Sequence, residues 1–149
     1  MTREEAQKLI QVLKKITEKG IFFVPEQGKR KQLHLLSVFS DKDHFDVIIN
    51  RAGINRKKYT LVLRYGKDQG LLRIDMGGGS HTNPDGKIIA CPHLHMQQKD
   101  TGKWDAWAED IPSVFGDTED CVQTLKDFLQ YCNVNNISCI EICEQKGME

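Results

Sequence analysis

The sequence predicts an α+β fold: a mostly antiparallel sheet of about five strands, with an N-terminal and a C-terminal helix packed on one face. Two observations carry this. Apolar residues recur at helical spacing near the two ends of the chain, in "TREEAQKLIQVLKKITEKG" and "TEDCVQTLKDFLQYCNV". Between them lie short segments rich in β-branched, aromatic and aliphatic residues, punctuated by Gly, Asp and Asn. A length of 149 residues, 39% of them hydrophobic, is enough for one core, so residues 1–149 are expected to form a single domain.

The first helix is marked by Thr2 and Glu5 at capping-box spacing, by Ala6, Leu9, Ile10, Leu13 and Ile16 on one stripe, and by Gly20 as a stop. "QLHLLSVFS", "HFDVIINRA", "KKYTLVLRYG" and "LLRIDMG" follow as consecutive strands. In the third, Tyr59, Leu61, Leu63 and Tyr65 share a face opposite Thr60, Val62 and Arg64, the period of a half-buried strand that leaves one sheet face polar. "GGGSHTNPDGK" is a turn-rich loop carrying His81. "KIIACPHLHMQQ" is a fifth strand, distorted or at an edge, because Pro92 cannot donate a ladder hydrogen bond. The second helix sets Val122, Leu125, Phe128, Leu129 and Cys132 at helical spacing.

Lys plus Arg and Asp plus Glu both number 21, so net charge cannot steer the protein to nucleic acid or an anionic membrane. Any such contact must be local. The start lacks a secretory apolar core and no run approaches the roughly 20 apolar residues of a membrane span, so a cytoplasmic protein without a membrane partner is expected. Five cysteines with no CxxC pair fit a reducing compartment, and Cys121, Cys132, Cys139 and Cys143 are expected as core thiols.

The chemistry concentrates in "ACPHLH". Strand alternation places Cys91, His93 and His95 on one face and Leu94 and Met96 on the other, and in the preceding strand Arg73 and Asp75 face away from Leu72, Ile74 and Met76. A hairpin between these strands brings Arg73, Asp75, His93 and His95 together on the polar face, with His81 leaning in from the loop. Used without a metal, His93 and His95 would serve as general base and general acid, Arg73 would hold a phosphate oxygen, and Asp75 would orient an imidazole. The alternative is zinc held by His93, His95 and Asp75, with His81 as fourth ligand. Arg56, Lys57, Lys58 and Arg64 form a basic stretch suited to single-stranded RNA. Trp104 and Trp107 suit either rim packing or stacking on a base, and His34 and His44 stand apart as ordinary surface residues.

"LRIDMGGGSHTNPDGKIIACPHLHMQQ", with "WAEDIP" and "FLQYCNV", resembles an uncharacterised family of phage and Gram-positive bacterial proteins sharing an HTNPDG and CPHLH signature. A more distant resemblance, at Arg73, Asp75, His81, Pro92, His93 and His95, is to TumE-type toxins of toxin–antitoxin modules. Together they imply a mobile-element protein acting on RNA or a nucleoprotein complex, with a toxin-like, metal-independent endoribonuclease as the leading expectation. A non-enzymatic, anti-CRISPR-like inhibitor of a host defence complex is the alternative.

Overall fold

A computed structural model describes residues 1–51, 53–54, 57–98 and 103–145. Helix α1 spans Arg3–Gln11, with the Thr2 hydroxyl accepting from the Glu5 backbone N–H at 3.1 Å and satisfying an orphan donor of the first turn. The helix ends well short of Gly20, where the apolar spacing predicts its stop. Lys14–Ile16 instead forms strand β1, which pairs with β3 (Arg30–Ser37). Helical propensity yields here to tertiary demand, since β3 needs an outer partner and alternation buries both Lys14 and Ile16.

The remaining strands are β2 (Gly20–Phe23), β4 (His44–Asn50), β5 (Tyr59–Tyr65), β6 (Gln69–Met76), β7 (His81–Thr82), β8 (Ile88–Ile89), β9 (His93–Met96), β10 (Glu109–Asp110) and β11 (Ile140–Cys143). Seven of them make the main sheet, in the order β1-β3-β4-β5-β6-β9-β10, with every neighbouring pair antiparallel. The sheet therefore exceeds the five strands expected. Its added members, β1 and β10, are too short to show a period of two.

The fifth expected strand is divided. Ile88–Ile89 pairs with His81–Thr82 in a separate small hairpin, and after a cis Cys91–Pro92 peptide only His93–Met96 joins the main sheet. Strand β9 is not at an edge, because β10 pairs along its outer side. Near the C-terminus, β11 lies parallel to β2 in a further two-stranded sheet.

Helix α2 spans Cys121–Tyr131 and is capped by the Asp120 carboxylate, which accepts from Gln123 N–H at 3.1 Å. One buried cluster joins Ala6 and Ile10 of α1 and Leu125, Phe128 and Leu129 of α2 to the apolar sheet face, including Leu35, Val47, Leu61, Ile74 and Leu94. Both helices thus serve a common core. All five cysteines are free thiols; Cys121 and Cys132 are buried, but Cys139 is exposed rather than in the core.

Lys14 is fully buried where the two helices end. Its ammonium donates to the carbonyls of Ile10 at 2.6 Å, Val12 at 2.8 Å and Cys132 at 2.9 Å, and lies 4.7 Å from the centre of the Phe45 ring. These carbonyls belong to the C-terminal ends of both helices, where the peptide dipoles favour a cation. Burial nevertheless pushes the amine down from 10.5 to about 8. Lys14→Met is expected to lower unfolding stability by roughly 2 kcal/mol in urea titrations, since the carbonyls lose a charged donor. Between pH 8 and 10.5 the unfolded chain keeps a proton that the folded chain has released. Raising pH through that window therefore favours folding of the wild type and should widen its advantage over the Met variant.

Candidate functional site

The site is built on the register of β6 and β9, which sets Arg73 opposite His95 and Asp75 opposite His93. Directly opposed residues share a sheet face, so all four side chains lie away from Ile74 and Leu94. His81 enters from β7, and the three imidazole centres stand 5.0 Å (His81–His95), 5.1 Å (His93–His95) and 5.7 Å (His81–His93) apart. The hairpin thus brings together the residues that alternation places on one face.

That face is not open at this point. His93 is 4% exposed and His95 0%, because residues 104–108 cross over them. Within this cover, the Trp107 carbonyl accepts from His95 Nδ1 at 2.9 Å, and the Ala106 carbonyl from His81 Nε2 at 2.7 Å. The Asn83 amide donates to the Ala108 carbonyl at 3.0 Å and accepts from its N–H at 2.8 Å, fastening the loop to the cover. Trp104 lies on Gly70 so closely that a Cβ there would be 2.7 Å from the indole. The tryptophan packs at the rim of the sheet.

Carbonyl oxygens only accept, so His81 Nε2 and His95 Nδ1 must carry hydrogen. In a neutral His81 the lone pair is then on Nδ1, whereas His95 Nε2, which faces a carboxylate, donates to it only when both ring nitrogens carry hydrogen. The Asp75 carboxylate receives Arg73 bidentately, Nε at 2.9 Å and Nη2 at 3.1 Å, and faces His93 Nε2 at 3.1 Å and His95 Nε2 at 3.3 Å. Burial alone would raise the Asp75 pKa, but the hydrogen bonds from His95 and Arg73 and the charge of Arg73 outweigh it. The carboxyl is held well below its usual range. For His93, burial pushes the imidazole down against the opposing pull of Asp75. The Ala90 backbone, which bonds the same ring, adds to that pull.

One ligand nitrogen from each of His81, His93 and His95 lies within 4.8 Å of the others, close enough to hold a metal ion. Two of these rings already donate their other nitrogen to a backbone carbonyl, the arrangement by which proteins orient metal-binding histidines. Asp75 touches two of the imidazoles and lies outside that three-histidine group. Arg73 is engaged on carboxylates throughout, with Nη1 reaching Asp105 at 3.2 Å, and so positions Asp75. Cys91 is held by backbone, accepting from Gly78 N–H and donating to the Asp75 carbonyl, both at 3.3 Å.

The basic stretch is divided. Lys57 and Lys58 are exposed beside the glycines that lead to His81, and Gly77 lies so near Lys57 that a Cβ would meet its carbonyl oxygen at 1.7 Å. Arg64 sits at the far end of β5, roughly 20 Å from Lys58 along an extended strand, in an ion pair with Asp46 at 2.9 Å. Arg56 lies outside the described residues. Sequence reasoning missed the cover, whose contribution is largely backbone carbonyl, and the association of His34, His44 and Asp46 with Arg64. The alternation in "QLHLL" and "HFDVI" could have signalled that association once the two strands were paired.

Asp75 is the carboxylate that pairs with the Arg73 guanidinium and on which the two buried imidazoles converge. Asp75→Asn is expected to cost about 3 kcal/mol of unfolding stability at neutral pH, as for other buried charges stripped of a partner. An unchanged urea midpoint would show that the cluster does not depend on the anion.

No curated protein and no solved structure matches the chain. A family of unknown function (DUF6978) matches residues 1–134, which reach from α1 past the end of α2 and include the whole histidine cluster. That stretch contains every element of the main sheet. The chain belongs to this uncharacterised family.

Proposed function

We propose that the protein binds a single zinc ion through His81, His93 and His95, and that this ion locks the glycine-rich loop and the cover onto the sheet. The observation that carries this is the approach of three ligand nitrogens within 4.8 Å in a nearly dry site, two of them on rings fixed by carbonyls. Tetrahedral zinc with bonds of about 2.1 Å sets its ligands roughly 3.4 Å apart, so the imidazoles need draw in by about 1 Å or less. Imidazole is an apt zinc ligand, and Asp75 would support His93, whose Nε2 faces it. When bound, the ion would also provide a Lewis acid with an open fourth position.

A second reading is favoured by the carboxylate that both imidazoles share: proton transfer on RNA, with His93 and His95 as acid and base and Asp75 orienting them. Lys57 and Lys58, exposed beside the loop, would supply phosphate contacts. Total burial of His95 weighs against direct contact with a phosphodiester and places this reading second.

Untagged protein loaded with zinc and dialysed should retain one zinc per chain by elemental analysis. At a free zinc concentration 100 times Kd, stability should rise by about 2.7 kcal/mol. His81→Ala should lose the ion while remaining folded, because His81 is the least buried of the three. Failure to retain zinc, or retention unchanged in His81→Ala, would overturn the proposal. RNA cleavage that survives a chelator and disappears in His93→Ala would establish the second reading instead.

A further inference from the structure

A second polar cluster occupies the same sheet face near the opposite end of its central strands. His34 of β3, Asp46 of β4 and Arg64 of β5 are successive cross-strand neighbours, and His44 precedes Asp46 by two residues, on the same face. With Lys42 and Lys67 they line a pocket of about 580 Å³, within the range of small-molecule sites. Lys42 precedes β4 in the β3–β4 connection and Lys67 lies in the β5–β6 turn. Two hairpin connections thus converge on the pocket.

The side chains form a continuous chain of hydrogen bonds. Arg64 Nη2 donates to Asp46 Oδ2 at 2.9 Å; Asp46 Oδ1 lies 3.1 Å from His34 Nδ1; and His34 Nε2 lies 3.1 Å from His44 Nδ1. Carboxylate oxygen only accepts, so His34 Nδ1 carries hydrogen. In the neutral pair His34 Nε2 must then accept from His44 Nδ1, which leaves the lone pair of His44 on Nε2, an atom without a hydrogen bond among the described residues. His44 can donate from Nε2 to an anion in the pocket only as the imidazolium.

The charges around it point the same way. Asp46 is matched by Arg64, whereas Lys42 and Lys67 have no ion pair among the described residues. Arg64 Nε is buried without a hydrogen-bond partner, a donor left unsatisfied by protein groups. Of the neighbouring acids, Asp43 accepts from the Tyr65 hydroxyl at 2.6 Å and Glu18 from the His34 backbone N–H at 2.9 Å and 3.2 Å, while Asp41 and Asp68 are exposed next to Lys42 and Lys67 in the chain. An oxyanion would pair with both lysines and with the guanidinium of Arg64, which line the pocket together.

We propose that this pocket binds a phosphate group, either the free ion or the phosphate of a small phosphorylated molecule, with Lys42, Lys67 and Arg64 supplying charge and His44, as the imidazolium, supplying a hydrogen bond from Nε2. The site is separate from the His81–His93–His95 cluster, and its test does not depend on metal. The imidazole nitrogens of 15N-labelled protein would be followed by NMR at neutral pH during titration with inorganic phosphate and, in a parallel arm, glycerol phosphate. A saturable shift of the His34 and His44 resonances is expected, with those of His81, His93 and His95 unmoved. Tighter binding of glycerol phosphate would identify a phosphorylated molecule as the source, and tighter binding of inorganic phosphate the free ion. Lys42→Gln/Lys67→Gln, at exposed positions, should weaken binding tenfold or more, and His44→Gln at least fivefold. Absence of a saturable shift in both arms, or equal affinity in the double lysine variant, would overturn the proposal.

Discussion

The Asp75 carboxylate is the interaction on which the architecture around the histidines depends. It sits on a sheet face covered by residues 104–108, where burial alone would favour its neutral form, yet it remains ionised because Arg73, His93 and His95 surround it. A buried anion is tolerable only when its oxygens are satisfied, and two nitrogens of Arg73 and Nε2 of His93 reach them here, with His95 Nε2 beside them. The dependence runs outward. His95, held by Asp75, donates to Trp107; Arg73 bonds Asp105; and Asn83 joins the cover to the loop that carries His81. The cover therefore rests on polar contacts that begin at one carboxylate.

The opposite face shows the other way to bury a charge. Lys14 has no carboxylate partner among the described residues, and its ammonium is satisfied by carbonyl oxygens at the ends of both helices. A point charge with three donors suits converging carbonyls, as a planar guanidinium suits the carboxylate of Asp75. The first arrangement binds helices to a sheet edge, and the second binds a loop to a sheet face.

Sheet spacing puts the two polar clusters about 16 Å apart, from two strand separations and four residues of rise. Trp104 packs on Gly70, which lies opposite Arg64, and the residues that follow it reach the histidines through the carbonyls of Ala106 and Trp107. The same face thus carries a dry site built from imidazoles and an open pocket lined by cations. Their different environments follow from where residues 104–108 happen to cross the sheet.

Much of this arrangement is legible in the residues themselves. Period-two alternation in "LLRIDMG" and "HLHM" places Arg73, Asp75, His93 and His95 on one face, and the turn residues between them allow the hairpin that makes them meet. Helical spacing locates α2 and the start of α1, because an apolar stripe and a cap are local properties. Local pattern says which way a side chain points, but not what will cover it. Only the tertiary structure decided that Lys14–Ile16 would leave the helix for the sheet, since the strand is stabilised by a distant partner. Only it decided that backbone carbonyls of Ala106 and Trp107 would seal the histidines, since a carbonyl has no residue identity to read. Pairing of β3 with β4 and of β4 with β5 likewise joined His34, Asp46 and Arg64, residues up to 30 positions apart whose proximity depends on strand register.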